Sequence, residues 1–99
     1  MALKTLKVTL TTSEQQINFS GSSKAFLLFE IPSSDTTLYS YESGGTANNN
    51  HVSLSGKTIP IIISQSEMKQ GFNLYAKGTS GGAVYFQINS SSDVTITVT

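Results

Sequence analysis

Apolar and polar residues alternate in steps of two at both ends of this chain, and that period governs most of what lies between. Leu6, Val8 and Leu10 alternate with Thr5, Lys7 and Thr9, and Val94, Ile96 and Val98 alternate with Thr95, Thr97 and Thr99. Successive side chains of a strand point to opposite faces, so this alternation describes strands with one buried and one wet face. Ile17 and Phe19 continue it up to a turn at Ser20, Gly21, Ser22 and Ser23. Residues 24–31 are instead almost continuously apolar, the pattern of a strand buried on both faces, and Pro32 ends that run. Further strands are expected over 37–42, at Val52 and Leu54, and over 58–63 with Pro60 near its start or on a sheet edge. The Gly/Asn-rich stretch 43–50 is expected to form turns or local disorder and to be the most mobile part of the chain.

One short helix interrupts the strands. Ser64 and Glu67 have the S-x-x-E spacing of a capping box, and Gly71 suits the left-handed position that ends a helix, so one helical turn or two is predicted over 65–70. After it, Phe72, Leu74 and Ala76 alternate with Asn73, Tyr75 and Lys77, and Val84, Phe86 and Ile88 alternate with Tyr85, Gln87 and Asn89. A hairpin closed by residues 78–82 would pair Phe72 with Ile88 and Leu74 with Phe86 on the core face, and would set Tyr75 opposite Tyr85 outside. In total, about seven or eight short strands spaced by Gly, Ser and Asn turns read as an all-β chain, an antiparallel β-sandwich or jelly roll. A chain of 99 residues closes one core, so a single domain over 1–99 is expected.

Composition excludes several functions. Only 12% of residues are charged, against about 25% in an average domain, the net charge is zero, and all six cations are Lys. A nucleic-acid partner needs a basic stripe to displace counterions, and none is present. There is no Cys, which removes disulfides, thiolate metal sites and cysteine nucleophiles. No apolar run is long enough for membrane insertion or for the core of a signal peptide, so a chain that stays out of the secretory route is expected.

Motifs with chemical associations read as structure. Ser55, Gly56, Lys57 and Thr58 imitate the end of a phosphate-binding loop, but His51 stands where that loop needs Gly, and a strand follows where it needs a helix. Gly78, Ser80 and Gly82 have the spacing of a nucleophile elbow, yet they join two strands rather than a strand and a helix. His51 has no second ligand at metal spacing, and Glu14, Glu30, Asp35, Glu42, Glu67 and Asp93 are scattered singly. Glu30 reads as a carboxylate at the wet end of its strand. No catalytic residue, metal site or cofactor is therefore expected.

The tyrosines remain. Tyr39 and Tyr41 share a strand face directed at the core or at a partner. Tyr75 and Tyr85, flanked by Asn73, Gln87 and Lys77, are expected to form a flat outward patch suited to another protein or to a sugar ring.

A Cys-free, Arg-free β chain rich in Ser, Thr and Asn, with Gly and Asn in its loops, resembles the small virion proteins of tailed phages. The resemblance implies a non-enzymatic structural protein, a capsid decoration (cement) protein or a fibre or tail component, located in the virion after synthesis in the host cytoplasm. Its implied partners are the capsid or tail protein lattice and further copies of itself, as a trimer. A carbohydrate- or receptor-binding module using exposed tyrosines is the alternative.

Overall fold

The computed structural model describes residues 3–31, 37–47, 49–54, 56–78, 83–89 and 94–99. The strands are β1 (Leu3–Thr9), β2 (Gln15–Ser20), β3 (Ala25–Glu30), β4 (Thr37–Ser40), β5 (Val52–Leu54), β6 (Thr58–Ile63), β7 (Phe72–Gly78), β8 (Ala83–Asn89) and β9 (Thr95–Val98), with one helix, α1 (Gln65–Gln70), between β6 and β7. All pairings are antiparallel. Sheet A has the order β1-β8-β3-β6 and sheet B the order β5-β4-β7-β2-β9. Strands β1 and β8, β2 and β7, β3 and β6, and β4 and β5 pair as nested partners. A ribbon of four such pairs rolled into two facing sheets is the connectivity of a jelly roll. The ninth strand, β9, extends sheet B beyond β2.

The alternation decides which side chains meet between the sheets. Ile17 and Phe19 of β2, Leu74 and Ala76 of β7, Leu27 and Phe29 of β3, and Val84, Phe86 and Ile88 of β8 are all buried. Three phenylalanines join the layers. Phe86 stacks on Phe29 with centroids 5.0 Å apart and meets the edge of Phe19 at 5.5 Å. Helix α1 closes one end, with Met68 fully buried and its carbonyl accepting from the Gly21 amide at 3.0 Å. The predicted capping box is present: Ser64 Oγ accepts from the Glu67 amide, and Glu67 Oε1 accepts from the Ser64 amide. Gly71 ends the helix at φ 95°, a conformation that disfavours any side chain.

Three expectations are corrected. The hairpin of β7 and β8 does not form: β7 lies between β4 and β2 in sheet B, and β8 lies between β1 and β3 in sheet A. Their apolar stripes are inward as predicted, but they meet across the core rather than side by side. Residues 79–82, expected to close the hairpin, lie outside the described residues. Strand β3 is buried on one face only, with burial alternating along it. Strand β4 ends at Ser40, two residues short of its predicted end, because the chain turns at Tyr41. The predicted edge position of Pro60 is correct, since β6 forms one border of sheet A.

The polar stretch after β4 has its predicted turns but is packed rather than loose. Its backbone closes on itself through Gly45 N to Glu42 O, Ala47 N to Gly44 O and Asn50 N to Gly45 O. Ser40 Oγ donates to Asn50 O and accepts from the Glu42 amide, and Gly45 and Thr46 are buried. The backbone at Gly45 passes so close to Ser40 that an added Cβ would lie 2.8 Å from the Ser40 Cβ and 2.9 Å from Asn50 O. Gly45→Ala is therefore expected to cost about 1–3 kcal/mol, the range for overpacking. A lowered urea midpoint at unchanged slope checks it.

Candidate binding surfaces

The five residues predicted to share one patch are divided between the two outer faces. Asn73, Tyr75 and Lys77 lie on the outside of sheet B, whereas Tyr85 and Gln87 lie on the outside of sheet A. Tyr75 pairs with Gln16 and Ser40, and Tyr85 with Lys7 and Glu30, so the two tyrosines never meet. Period-two spacing places a residue on an outer face but does not say which sheet that face belongs to. Tyr75→Ala and Tyr85→Ala are accordingly expected to be additive to within about 0.5 kcal/mol, as for independent distant sites. A larger coupling in a double-mutant cycle would restore the hairpin.

On sheet B an amide ladder surrounds Tyr75. Asn73 Oδ1 accepts from Gln16 Nε2 at 3.1 Å and from Asn18 Nδ2 at 2.7 Å. Lys77 contributes elsewhere, to the electrostatics of Glu14 at the start of β2. The Glu14 carboxylate anchors the packed loop by accepting from the Gly44 amide at 2.8 Å, the Thr46 amide at 3.1 Å and the Thr46 hydroxyl. Desolvation raises its pKa, but the Thr46 hydroxyl, the two amides and the Lys77 charge outweigh that and hold it below the ordinary value.

At the end of sheet B nearest α1, a groove of about 600 Å³ runs between β6, the helix and β7. Tyr41, Phe72 and Tyr75 supply its rings, and Glu67, Gln70 and Asn73 supply its polar groups. Tyr41 is 56% exposed and packs edge-on against Tyr39 and Phe72, at 5.1 and 5.8 Å between centroids. Tyr39 takes the core side of that pair. Burial, and after it the neighbouring Tyr41 phenol, push its phenol well above the usual range.

The outer face of sheet A is different in character. Register places Phe26 beside Ile62 and Leu28 beside Pro60, with Gln87 on the other side of Leu28. Phe26 is 39% exposed and Ile62 67% exposed, Pro60 is exposed and Leu28 half-buried. Next to this apolar strip a depression of about 220 Å³ is lined by Thr5, Leu28, Glu30, Tyr85 and Gln87, with the Lys7 ammonium 5.9 Å from the Tyr85 ring centre. Glu30 is exposed at the end of its strand. The strip was signalled by the almost continuously apolar run 24–31, whose second face was expected to be covered from within the chain. A two-layer sandwich has no third layer to cover it.

His51 sits in the packed loop with Nδ1 3.4 Å from Gly45 O. Among the described residues no three of His, Asp and Glu gather into a group that could hold a metal ion, and no helix is long and apolar enough to cross a membrane. Asp35 and Asp93 lie outside the described residues. Compared with protein-family models, curated proteins and solved structures, the chain matches none of them.

Proposed function

We propose that this chain is a non-enzymatic structural protein of a virion, a capsid decoration protein or a fibre or tail component that works by docking on a protein lattice. The observation that supports this reading is the bare apolar strip of Phe26, Leu28, Pro60 and Ile62 on sheet A. Contiguous apolar surface on a small soluble domain marks contact with another macromolecule. A flat strip bordered by Glu30, Lys7, Tyr85 and Gln87 has the apolar centre and polar rim of a protein interface. The amide- and hydroxyl-rich remainder of the surface suits a protein whose work is contact rather than catalysis.

The test is co-sedimentation with the assembled shells or tails encoded beside its gene, comparing wild type with Phe26→Ser. Phe26 points away from the core, so the variant is expected to keep its circular dichroism spectrum while binding about tenfold more weakly, the loss of one central anchor. Equal binding by the two proteins would remove the sheet A face from the proposal, and a gene neighbourhood without capsid, portal or tail genes would remove the virion. A trimer accompanies the reading. Two sheet edges are blunted against open-ended pairing, by Pro60 on β6 and by the three-residue length of β5, which leaves β1 and β9 as borders a second copy can meet. Light scattering that shows only monomer at high concentration would exclude the trimer and leave lattice docking standing.

A further inference from the structure

The groove beside α1 touches the strip on sheet A at Ile62, but its rings and polar groups come from elsewhere, and its chemistry is that of a sugar site. We infer that it binds a neutral saccharide, with a pyranose ring lying against Tyr41 and Tyr75 and its hydroxyls bonded by Asn73, Gln70 and Glu67.

Three features converge on that ligand. The first is the rings. A pyranose presents a face of C–H groups that packs on an aromatic face, and tyrosine combines such a face with a polar tip that tolerates water. The groove holds Tyr41, Phe72 and Tyr75 together although Tyr41 follows β4 and the other two lie on β7. The second is the set of unengaged polar atoms. Both hydrogen bonds to Asn73 fall on Oδ1 and come from β2, which turns the amide Nδ2 away from β2 with no bond among the described residues. The two bonds from Ser64 likewise fall on Glu67 Oε1, leaving Oε2 without one. An amide donor and a carboxylate acceptor are the pair that hydroxyl groups satisfy in both directions. The third is charge. The lining includes one carboxylate and no cation, so a phosphate or an acidic sugar would be repelled without compensation. A volume of about 600 Å³ also lies within the range of small-molecule sites.

Saturation-transfer NMR on the intact protein tests this, with maltose-, lactose- and chitin-type oligosaccharides at millimolar concentration and sialylated or phosphorylated sugars as the anionic set. Saturation is expected to reach the neutral sugars and to be weaker for the anionic ones. Tyr41→Ala and Tyr75→Ala should each reduce it by about tenfold, the loss of an aromatic anchor. Tyr75→Phe, which keeps the ring, should retain most of it, and Tyr85→Ala, on the opposite face, should leave it unchanged. No transfer to any neutral sugar overturns the inference, as does transfer that is indifferent to both tyrosine truncations or strongest for the anionic set. Phe26 does not line the groove, so failure here leaves the lattice proposal intact, and failure of Phe26→Ser to weaken lattice docking leaves this one intact.

Discussion

Phe86→Ala is expected to cost about 3–5 kcal/mol, because it removes a fully buried aromatic ring and leaves a cavity that its neighbours cannot fill. Phe86 lies on β8 near the middle of sheet A, stacked on Phe29 and edge-on to Phe19 from the opposing sheet. It therefore joins the two layers as well as filling space between them. Partial collapse is blocked on both sides, since β8 is held in register by β1 and β3 and cannot move toward Phe19 without breaking two ladders. A domain of this size has about 5–15 kcal/mol of total stability, so the change removes a large share of it. A loss of about 15–30 °C in Tm is the corresponding shift. Tyr85→Ala, one residue earlier on the same strand, faces outward and should cost about 1 kcal/mol or less. The contrast between neighbours is the sharpest test of the alternation: equal costs would mean that β8 is seated one residue out of register.

Faces were legible in the sequence and partners were not. Leu74 and Ala76, or Phe86 and Ile88, are assigned to the core by a local period that depends only on strand geometry. That Leu74 pairs with Ile17, and Phe86 with both Leu6 and Phe29, depends on how distant segments stack, and nothing within β7 or β8 encodes it. A Gly-rich link between two alternating strands serves a tight hairpin and a crossing between sheets equally well, and nearest-neighbour reasoning chose the hairpin. The capping box at Ser64 and Glu67 was readable because its whole mechanism spans four residues. The strip at Phe26 and Leu28 was half readable: the run is apolar on both faces, but only the assembled two-layer fold says that the second face is left for a partner. The groove was readable in part. Tyr75 and Asn73 could be placed on an outer face, whereas Tyr41 was expected to share a strand face with Tyr39 and instead lies past the end of β4, 56% exposed. The meeting of all three with Gln70 and Glu67 depends on where α1 is held. Glu14 was not readable at all, because its three donors come from residues about thirty positions away whose approach follows from the fold.

Glu14→Gln is expected to cost about 1–2 kcal/mol at neutral pH and to loosen one end of sheet B without melting the core. The carboxylate accepts from three donors, two of them backbone amides that the loop cannot satisfy internally. A glutamine keeps one acceptor and turns an NH₂ group toward a donor, which leaves at least one loop N–H unpaired. The charge has its own signature in pH. The pKa of Glu14 is lower in the folded chain than its ordinary value of 4.5, so the folded state favours the ionised form. That contribution is fully present above the ordinary value and is lost as pH falls through the lowered one. Wild-type stability should thus fall on acidification below about pH 4.5, while the variant lacks this step, so the gap between their urea midpoints should narrow as pH falls through the lowered pKa. Hydrogen exchange supplies the local reading, since the Gly44 and Thr46 amides should lose protection in the variant while core amides such as that of Phe86 keep theirs. Full protection of both loop amides in Glu14→Gln, or a gap in midpoint that persists unchanged at low pH, would show that the loop is held by its own turns and by Ser40 rather than by the carboxylate.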